Sequence, residues 1–331
     1  MDMYMRRKCQ FCRLRKCKAV GMRPECLVQE PARKTTGKKK DNMKQISTTS
    51  SPKDSSKEDD GNSNSSTLSS GGGGGGGSSA VMTMKLPAGL SPEQRELIET
   101  LVLYQDQFEL PDEQEVRKVT EFPTDENDPE FVTKRFAHIT EWTILTVRLI
   151  VEFTKRLPGF ETLCKEDQIT LLKASAVEVI LLRSARRYDI ETDAVVFGNG
   201  LPYTRDSYRK AGIGDTADSI FEFSRSMAQM KVDNAEYALL TAIVIFSERP
   251  SLVESRKVEK IQEIYIDALR TYTQLMRPAG TNVLARLLMK LTELRSFSNE
   301  HSEMLFSLKL RNHKLPPLLA EIWDVPTANQ V

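Results

Sequence analysis

ITLLKASAVEVILL, residues 169–182, carries only Lys173 and Glu178 as charges. Wound at about 100° per residue, it shows apolar side chains on almost every side. That character extends over residues 166–187 and predicts a helix buried all round. Such a helix needs other elements around it, and the flanking sequence supplies them. Residues 129–156 place Ile139, Trp142, Leu145, Leu149, Ile150 and Phe153 mostly three and four apart, an amphipathic helix. LSPEQRELIETLVLYQDQFEL, residues 90–110, opens with Ser91 as N-cap and Pro92 at the first helical position. Glu93 and Glu96 suit the positive end of the helix dipole, and Leu97, Leu101 and Tyr104 or Gln105 then share a face. Downstream, AVVFGNGLPYT, residues 194–204, reads as a short hairpin, with β-branched and aromatic residues, two glycines and a proline. Helical patterns return over 205–229, 233–248, 251–276, 280–312 and 316–324. The expected fold is all-α: a helical domain over residues 91–325 with one small β-hairpin, then a tail, 326–331.

Ahead of this domain the composition changes twice. Residues 1–30 hold four of the five cysteines, Cys9, Cys12, Cys17 and Cys26. Over residues 1–44 basic side chains far outnumber the acids Asp2, Glu25, Glu30 and Asp41. That excess suits a polyanion such as nucleic acid, or a plain solvated tail. Residues 31–90, from KTTGKKK through SSGGGGGGGSS, have too few large apolar side chains to offset ordering entropy, and a flexible hinge is expected. No apolar run reaches the roughly 18 residues of a membrane span. If the thiols are reduced, metal outranks disulfide as the reading of Cys9 and Cys12. Their spacing is that of half a tetrahedral zinc site. Cys17 lies about 140° round a helix from Cys12 and is a poor third ligand. Cys26 follows Gly21 and Pro24, beyond that helix.

Nothing in the chain points to catalysis. His138, His301 and His313 sit in no catalytic motif, and no GxSxG, P-loop or dinucleotide fingerprint occurs. The seven glycines at 71–77 follow no strand and open no helix. A helical enzyme is the remotest reading, and the chain is expected not to be one.

Four groups of residues ask for partners. Arg183 lies inside the apolar helix, where an unpaired guanidinium costs several kcal/mol, so it needs a carboxylate, carbonyls or a polar ligand. Thr143 and Thr146 share one helix face. Each can bond its own i−4 carbonyl, which the residues alone favour, or offer a hydroxyl to a ligand. Lys155, Lys173 and Glu321 either flank an apolar groove or are three solvated charges. In the first case a short helix carrying leucines fits between them, with its N–H end at the glutamate and its carbonyl end at the lysines. Leu284, Leu287, Leu288, Leu291 and Leu294, continued by Met304 and Leu308, form a stripe broader than one core needs. It is a partner face or a plain buried helix.

FTKRLPGFETLCKEDQITLLK, residues 153–173, resembles the signature of nuclear-receptor ligand-binding domains. LPPLLAEIW, residues 315–323, resembles their C-terminal activation helix. TILTVRLIVEF, ARRYD, YTRDSYRKAG, YALLTAIVIFS and LAEIWDV narrow the likeness to the branch of that family that binds ecdysteroids. MYMRRKCQFCRLRKCKAVGMRPEC, residues 3–26, resembles the end of the family's zinc-finger DNA-binding domain. The resemblance implies the layered receptor fold and a nuclear, ligand-activated transcription factor. It implies that Cys9 and Cys12 are two of four zinc ligands, the other two lying upstream of Met1, so that the zinc site is incomplete in this chain. Arg6, Arg7, Arg13, Arg15 and Lys16 would contact phosphates of a DNA response element.

For the helical domain it implies a 20-hydroxyecdysone-like ligand. Thr143 and Thr146 would bond ring hydroxyls, Arg183 a ring ketone or hydroxyl, and Tyr208 a side-chain hydroxyl. Glu109 and the backbone of Gly198 add polar contacts. Ile139, Trp142, Ile180 and Phe197 form apolar wall, and Trp323 helps close the pocket. Lys155, Lys173 and Glu321 would grip LxxLL coactivators. The leucine stripe would pair with a retinoid-X-type (ultraspiracle) receptor. Three positions depart from the pattern: Trp142 replaces a methionine, His301 an asparagine that bonds the ligand's tail, and Leu318 a phenylalanine. His301 is then a ligand contact or a surface histidine. Two readings stay open beside this one: a ligand-independent receptor whose pocket is filled, with Trp142 as the hint, and a receptor for another sterol.

Overall fold

The computed structural model describes residues 86–310 and 314–325. The expectations for Cys9, Cys12, Arg6, Arg7, Arg13, Arg15, Lys16, the hinge up to residue 85 and the tail from 326 lie outside the described residues.

Among the described residues are ten α-helices: α1 (Pro92–Gln107), α2 (Glu113–Val116), α3 (Phe131–Lys155), α4 (Lys165–Arg186), α5 (Arg205–Lys210), α6 (Ala217–Gln229), α7 (Asn234–Ile245), α8 (Ser255–Met276), α9 (Val283–Leu310) and α10 (Pro317–Ile322). The apolar window becomes α4, buried over Ser175–Val179 and at Leu171, Leu181, Leu182, Ser184 and Ala185, while Leu172, Lys173 and Ala174 are half-buried, so the helix is not covered all round as expected. Its first turn reaches the surface, with Ile169 exposed. A second helix, α7, is more deeply buried still, with every residue from Ala235 to Ile245 inside. These two pack on each other, with α3, α6 and α9 against α4 and α1 and α8 against α7. The result is the layered helical arrangement.

Local chemistry sets the helix ends. Ser91 Oγ accepts from Gln94 N at 3.2 Å, Gln94 Oε1 accepts from Ser91 N at 3.3 Å, and Pro92 opens α1. The buried face of α1 is Ile98, Leu101 and Gln105, one position round from the face the sequence suggested at its start. Between α3 and α4 the chain turns at Gly159, with φ 93°; a Cβ there would meet Ile261 Cγ2 at 2.9 Å. The predicted hairpin is a three-stranded antiparallel sheet, with β1 (Tyr188–Asp189) added to β2 (Ala194–Val196) and β3 (Pro202–Tyr203). Val195 pairs with Tyr188 on one side and Tyr203 on the other. The helix expected over 205–229 is broken into α5 and α6 by Gly212, with φ 79°, and a 3-10 turn, Gly214–Thr216.

A buried ion pair lies midway along α4. The Glu178 carboxylate accepts from Arg249 Nη1 at 3.1 Å and Nη2 at 2.7 Å, and both side chains are only 3% exposed. Arg295 of α9 approaches the same carboxylate at 3.3 Å. This cluster ties α4, α9 and the segment after α7 together where apolar packing alone would leave two buried charges unpaired.

Candidate functional site

The elements around α4 leave a cavity. Its walls enclose about 1240 Å³ not occupied by atoms, including its opening to solvent, of which about 140 Å³ admits the centre of a water-sized sphere. α3 contributes Ile139, Trp142, Thr143 and Thr146; α4 contributes Ile180 and Arg183. Glu109 comes from the segment after α1, Phe197 and Gly198 from the β2–β3 turn, Tyr208 from α5, His301 from α9 and Trp323 from the end of α10. The sequence-predicted ligand residues thus all border one space.

Its polar groups divide into satisfied and available. Thr143 Oγ1 donates to Ile139 O at 2.7 Å and Thr146 Oγ1 to Trp142 O at 2.9 Å. Both make the i−4 bond, and each oxygen keeps lone pairs that can accept from a hydroxyl. Arg183 Nη1 donates to Phe108 O at 2.7 Å. Burial pulls the Arg183 guanidinium down to about 10, against the opposing pull of the Glu109 charge. It is still a cation at neutral pH. Glu109 is engaged by Arg186 at 2.9 Å and Arg187 at 3.4 Å, so its carboxylate is neutralised inside the protein. The buried Tyr208 hydroxyl bonds no described residue, and burial raises its pKa, so it is a protonated donor.

His301 is not a surface histidine. It is 9% exposed, and its ring centroid stands 4.5 Å from that of Trp323 in an edge contact. Burial pulls its pKa down to about 4, which keeps it neutral with one donor and one acceptor nitrogen. The unfolded chain takes up this proton near 6.5 and the folded chain does not until about 4. The resulting stability is present in full above about pH 6.5 and is lost as pH falls towards 4. His301→Gln is therefore expected to flatten the decline in urea-unfolding stability between pH 6.5 and 4, removing about 1.4 kcal/mol of loss for each pH step. An unchanged pH profile would contradict this.

Trp142 presents an apolar ring, stacked on Phe197 at 6.0 Å, while its Nε1 is buried without a hydrogen-bond partner. The Trp323 Nε1 is in the same position. Behind this wall a buried network missed by the sequence reading holds the sheet against α3. Asn199 Nδ2 donates to the Tyr203 hydroxyl at 2.8 Å, which donates to His138 Nε2; His138 Nδ1 donates to Thr120 O. The carbonyl partner assigns the ring proton to Nδ1. Tyr203, Met304, Leu308, Leu315 and Leu319 also line the cavity. Met304 and Leu308, which continue the leucine stripe in sequence, face the cavity, because one helix serves both surfaces.

The tail helix closes the site. Leu319 and Ala320 of α10 are buried, α10 packs on α4, and Leu315, Leu319 and Trp323 face the cavity. Lys173 Nζ bonds Asp324 Oδ1 at 2.8 Å, a tie between α4 and the end of α10. Lys155 is exposed and pairs with Glu152 at 3.0 Å, and Glu321 is exposed. The leucine stripe is split: Leu287 and Leu294 are fully buried core, which removes them from any partner face, while Leu284, Leu288 and Leu291 are half-buried. Cys164, Asp167 and Glu254 have ligand atoms within 4.8 Å of one another. Asp167 accepts from Val253 N and Glu254 N, and Glu254 from Cys164 N, each at 2.8 Å, so these groups fasten the start of α4 to the segment ahead of α8. No helix among the described residues is long and apolar enough to cross a membrane.

A layered helical domain wrapped round a cavity that its last helix covers is a receptor-type ligand-binding domain, and the chain belongs to the nuclear hormone receptor family. The family model for the ligand-binding domain of nuclear hormone receptor matches residues 125–311. The chain is similar to ecdysone receptors: 48% identical over 335 residues to that of Lucilia cuprina, covering 98% of this chain and 44% of the relative. The figures are 48% over 350 residues, 98% and 39%, for Drosophila melanogaster. For Chironomus tentans they are 43% over 360 residues, 99% and 67%. The chain thus spans between about two-fifths and two-thirds of these relatives' lengths.

Proposed function

We propose that the chain is a nuclear, ligand-activated transcription factor, not an enzyme, whose cavity binds an ecdysteroid of the 20-hydroxyecdysone type. The observation that carries this reading is one apolar cavity into which a cationic Arg183, the Tyr208 hydroxyl and the accepting oxygens of Thr143 and Thr146 all open. Few placed polar groups in an apolar hollow suit a hydroxylated steroid. Ligand packing against Trp323 would favour docked α10, and it shifts that equilibrium only by its differential affinity for the two states. With α10 docked, Glu321 together with Lys173 and Lys155 would form the clamp for an LxxLL coactivator helix. Leu284, Leu288 and Leu291, beside the exposed Met289, are the face offered to a retinoid-X-type (ultraspiracle) partner. Cys9 and Cys12 would supply two of the four thiolates of a structural zinc, and Arg6, Arg7, Arg13, Arg15 and Lys16 would hold phosphates of the DNA response element.

Thermal unfolding with and without 20-hydroxyecdysone tests this reading. At 100 times its dissociation constant the hormone is expected to add about 2.7 kcal/mol. No shift with any ecdysteroid would instead support the ligand-independent receptor, in which Trp142 and its neighbours close the space. A shift with another sterol alone would reassign the ligand.

A further inference from the structure

A second, smaller cavity shares Arg183 and Glu109 with the ligand cavity and is otherwise lined by Gln105 of α1, Arg186 of α4 and Tyr237 and Thr241 of α7, with two apolar neighbours. About 10 Å³ of it admits the centre of a water-sized sphere, the space of a single water. Tyr237 is 6% exposed, and its hydroxyl bonds no described residue. The charges of Arg186 and Glu109 act on that hydroxyl, and burial raises its pKa, which keeps it a donor. Gln105 Nε2 donates to Asn234 O at 3.2 Å, leaving Oε1 as an acceptor. Thr241 Oγ1 donates to Tyr237 O at 2.8 Å and keeps its lone pairs. A buried water needs two to four polar partners, and this space offers more than that.

We propose that this space holds one structural water, accepting from the Tyr237 hydroxyl and an Arg183 N–H and donating to Gln105 Oε1 and the Glu109 carboxylate. Arg183 is then held from two directions, by the Phe108 carbonyl and by this water, with its remaining N–H groups left for the ligand cavity. Tyr237, which borders the small cavity and not the ligand cavity, becomes a positioning residue for hormone recognition, acting through the water on Arg183. The positioning role rests on the ligand-binding reading; the water does not.

A crystal structure of the full chain without hormone decides the first part. It should show an ordered water within hydrogen-bond reach of both the Tyr237 hydroxyl and the Arg183 guanidinium. A dry cavity, or a water bonded to neither group, overturns the proposal. Tyr237→Phe tests the second. NMR of labelled arginine should show faster guanidinium rotation at Arg183, and affinity for 20-hydroxyecdysone should fall by about threefold to tenfold, the worth of one hydrogen bond. Unchanged Arg183 rotation would make Tyr237 a packing residue and reject the positioning role. If the wild-type chain binds no ecdysteroid while the water and the Arg183 effect are found, the hormone reading fails and the water site stands. Should Tyr237→Phe not fold, the wild-type water still decides the site.

Discussion

Arg249→Ala is expected to lower the unfolding free energy by about 3–5 kcal/mol. The Glu178 carboxylate sits inside α4 at 3% exposure and depends on the Arg249 fork, with Arg295 as a more exposed third member. Removing Arg249 strands a buried negative charge and also frees the Val244 carbonyl, which Arg249 Nη2 reaches at 3.2 Å. Urea titration of the two proteins measures the difference. Replacing Glu178 and Arg249 together with methionine should cost less than Arg249→Ala alone, because a well-packed apolar pair leaves no charge behind. A single-variant loss below about 1 kcal/mol, the range of surface pairs, would mean that water reaches this cluster.

Arg183→Met is expected to act in opposite directions on binding and on stability. Affinity for 20-hydroxyecdysone should fall by about 10-fold to 100-fold, since a hydrogen bond from a charged donor contributes roughly 1.5–3 kcal/mol. The unliganded chain should become more stable. Burial pulls its guanidinium down to about 10, which corresponds to about 3 kcal/mol against the charged form. Part of that is recovered when methionine fills the space, less the loss of the bond to Phe108 O. Equilibrium hormone binding and thermal unfolding of the same preparation check both. A variant that binds normally, or one that is less stable than wild type, would contradict this account of Arg183.

The long apolar periodicities were legible in the sequence. α3, α4, α7, α8 and α9 fall within a few residues of the expected spans because each has a buried stripe or is buried throughout. The break at Gly212 was also present in AGIG, but helical patterning on both sides masked it. The buried face of α1 was misjudged by one position because Leu97 and Ile98 are equally apolar and only packing on α7 chooses between them. Arg183 declared itself as a charge in an apolar helix. Glu178 is in the same helix and could have been read by the same argument, but its partner lies 71 positions away, in a segment with no pattern of its own. His138, Tyr203 and Asn199 left no signal, since a histidine, a tyrosine and an asparagine at those separations mean nothing until the sheet is folded onto α3. His301 shows the limit of periodicity. Its place on α9 was clear, but which side faced inward depended on where α10 and Trp323 settled.

The most direct measurement is a crystal structure of the chain grown with 20-hydroxyecdysone. The expected result is the steroid inside the α3–α4–α9 cavity beneath docked α10, with its oxygens within hydrogen-bond reach of Arg183, Tyr208 and at least one of Thr143 and Thr146. A hormone bound at another surface, or crystals in which that cavity holds no steroid at saturating concentration, would contradict it.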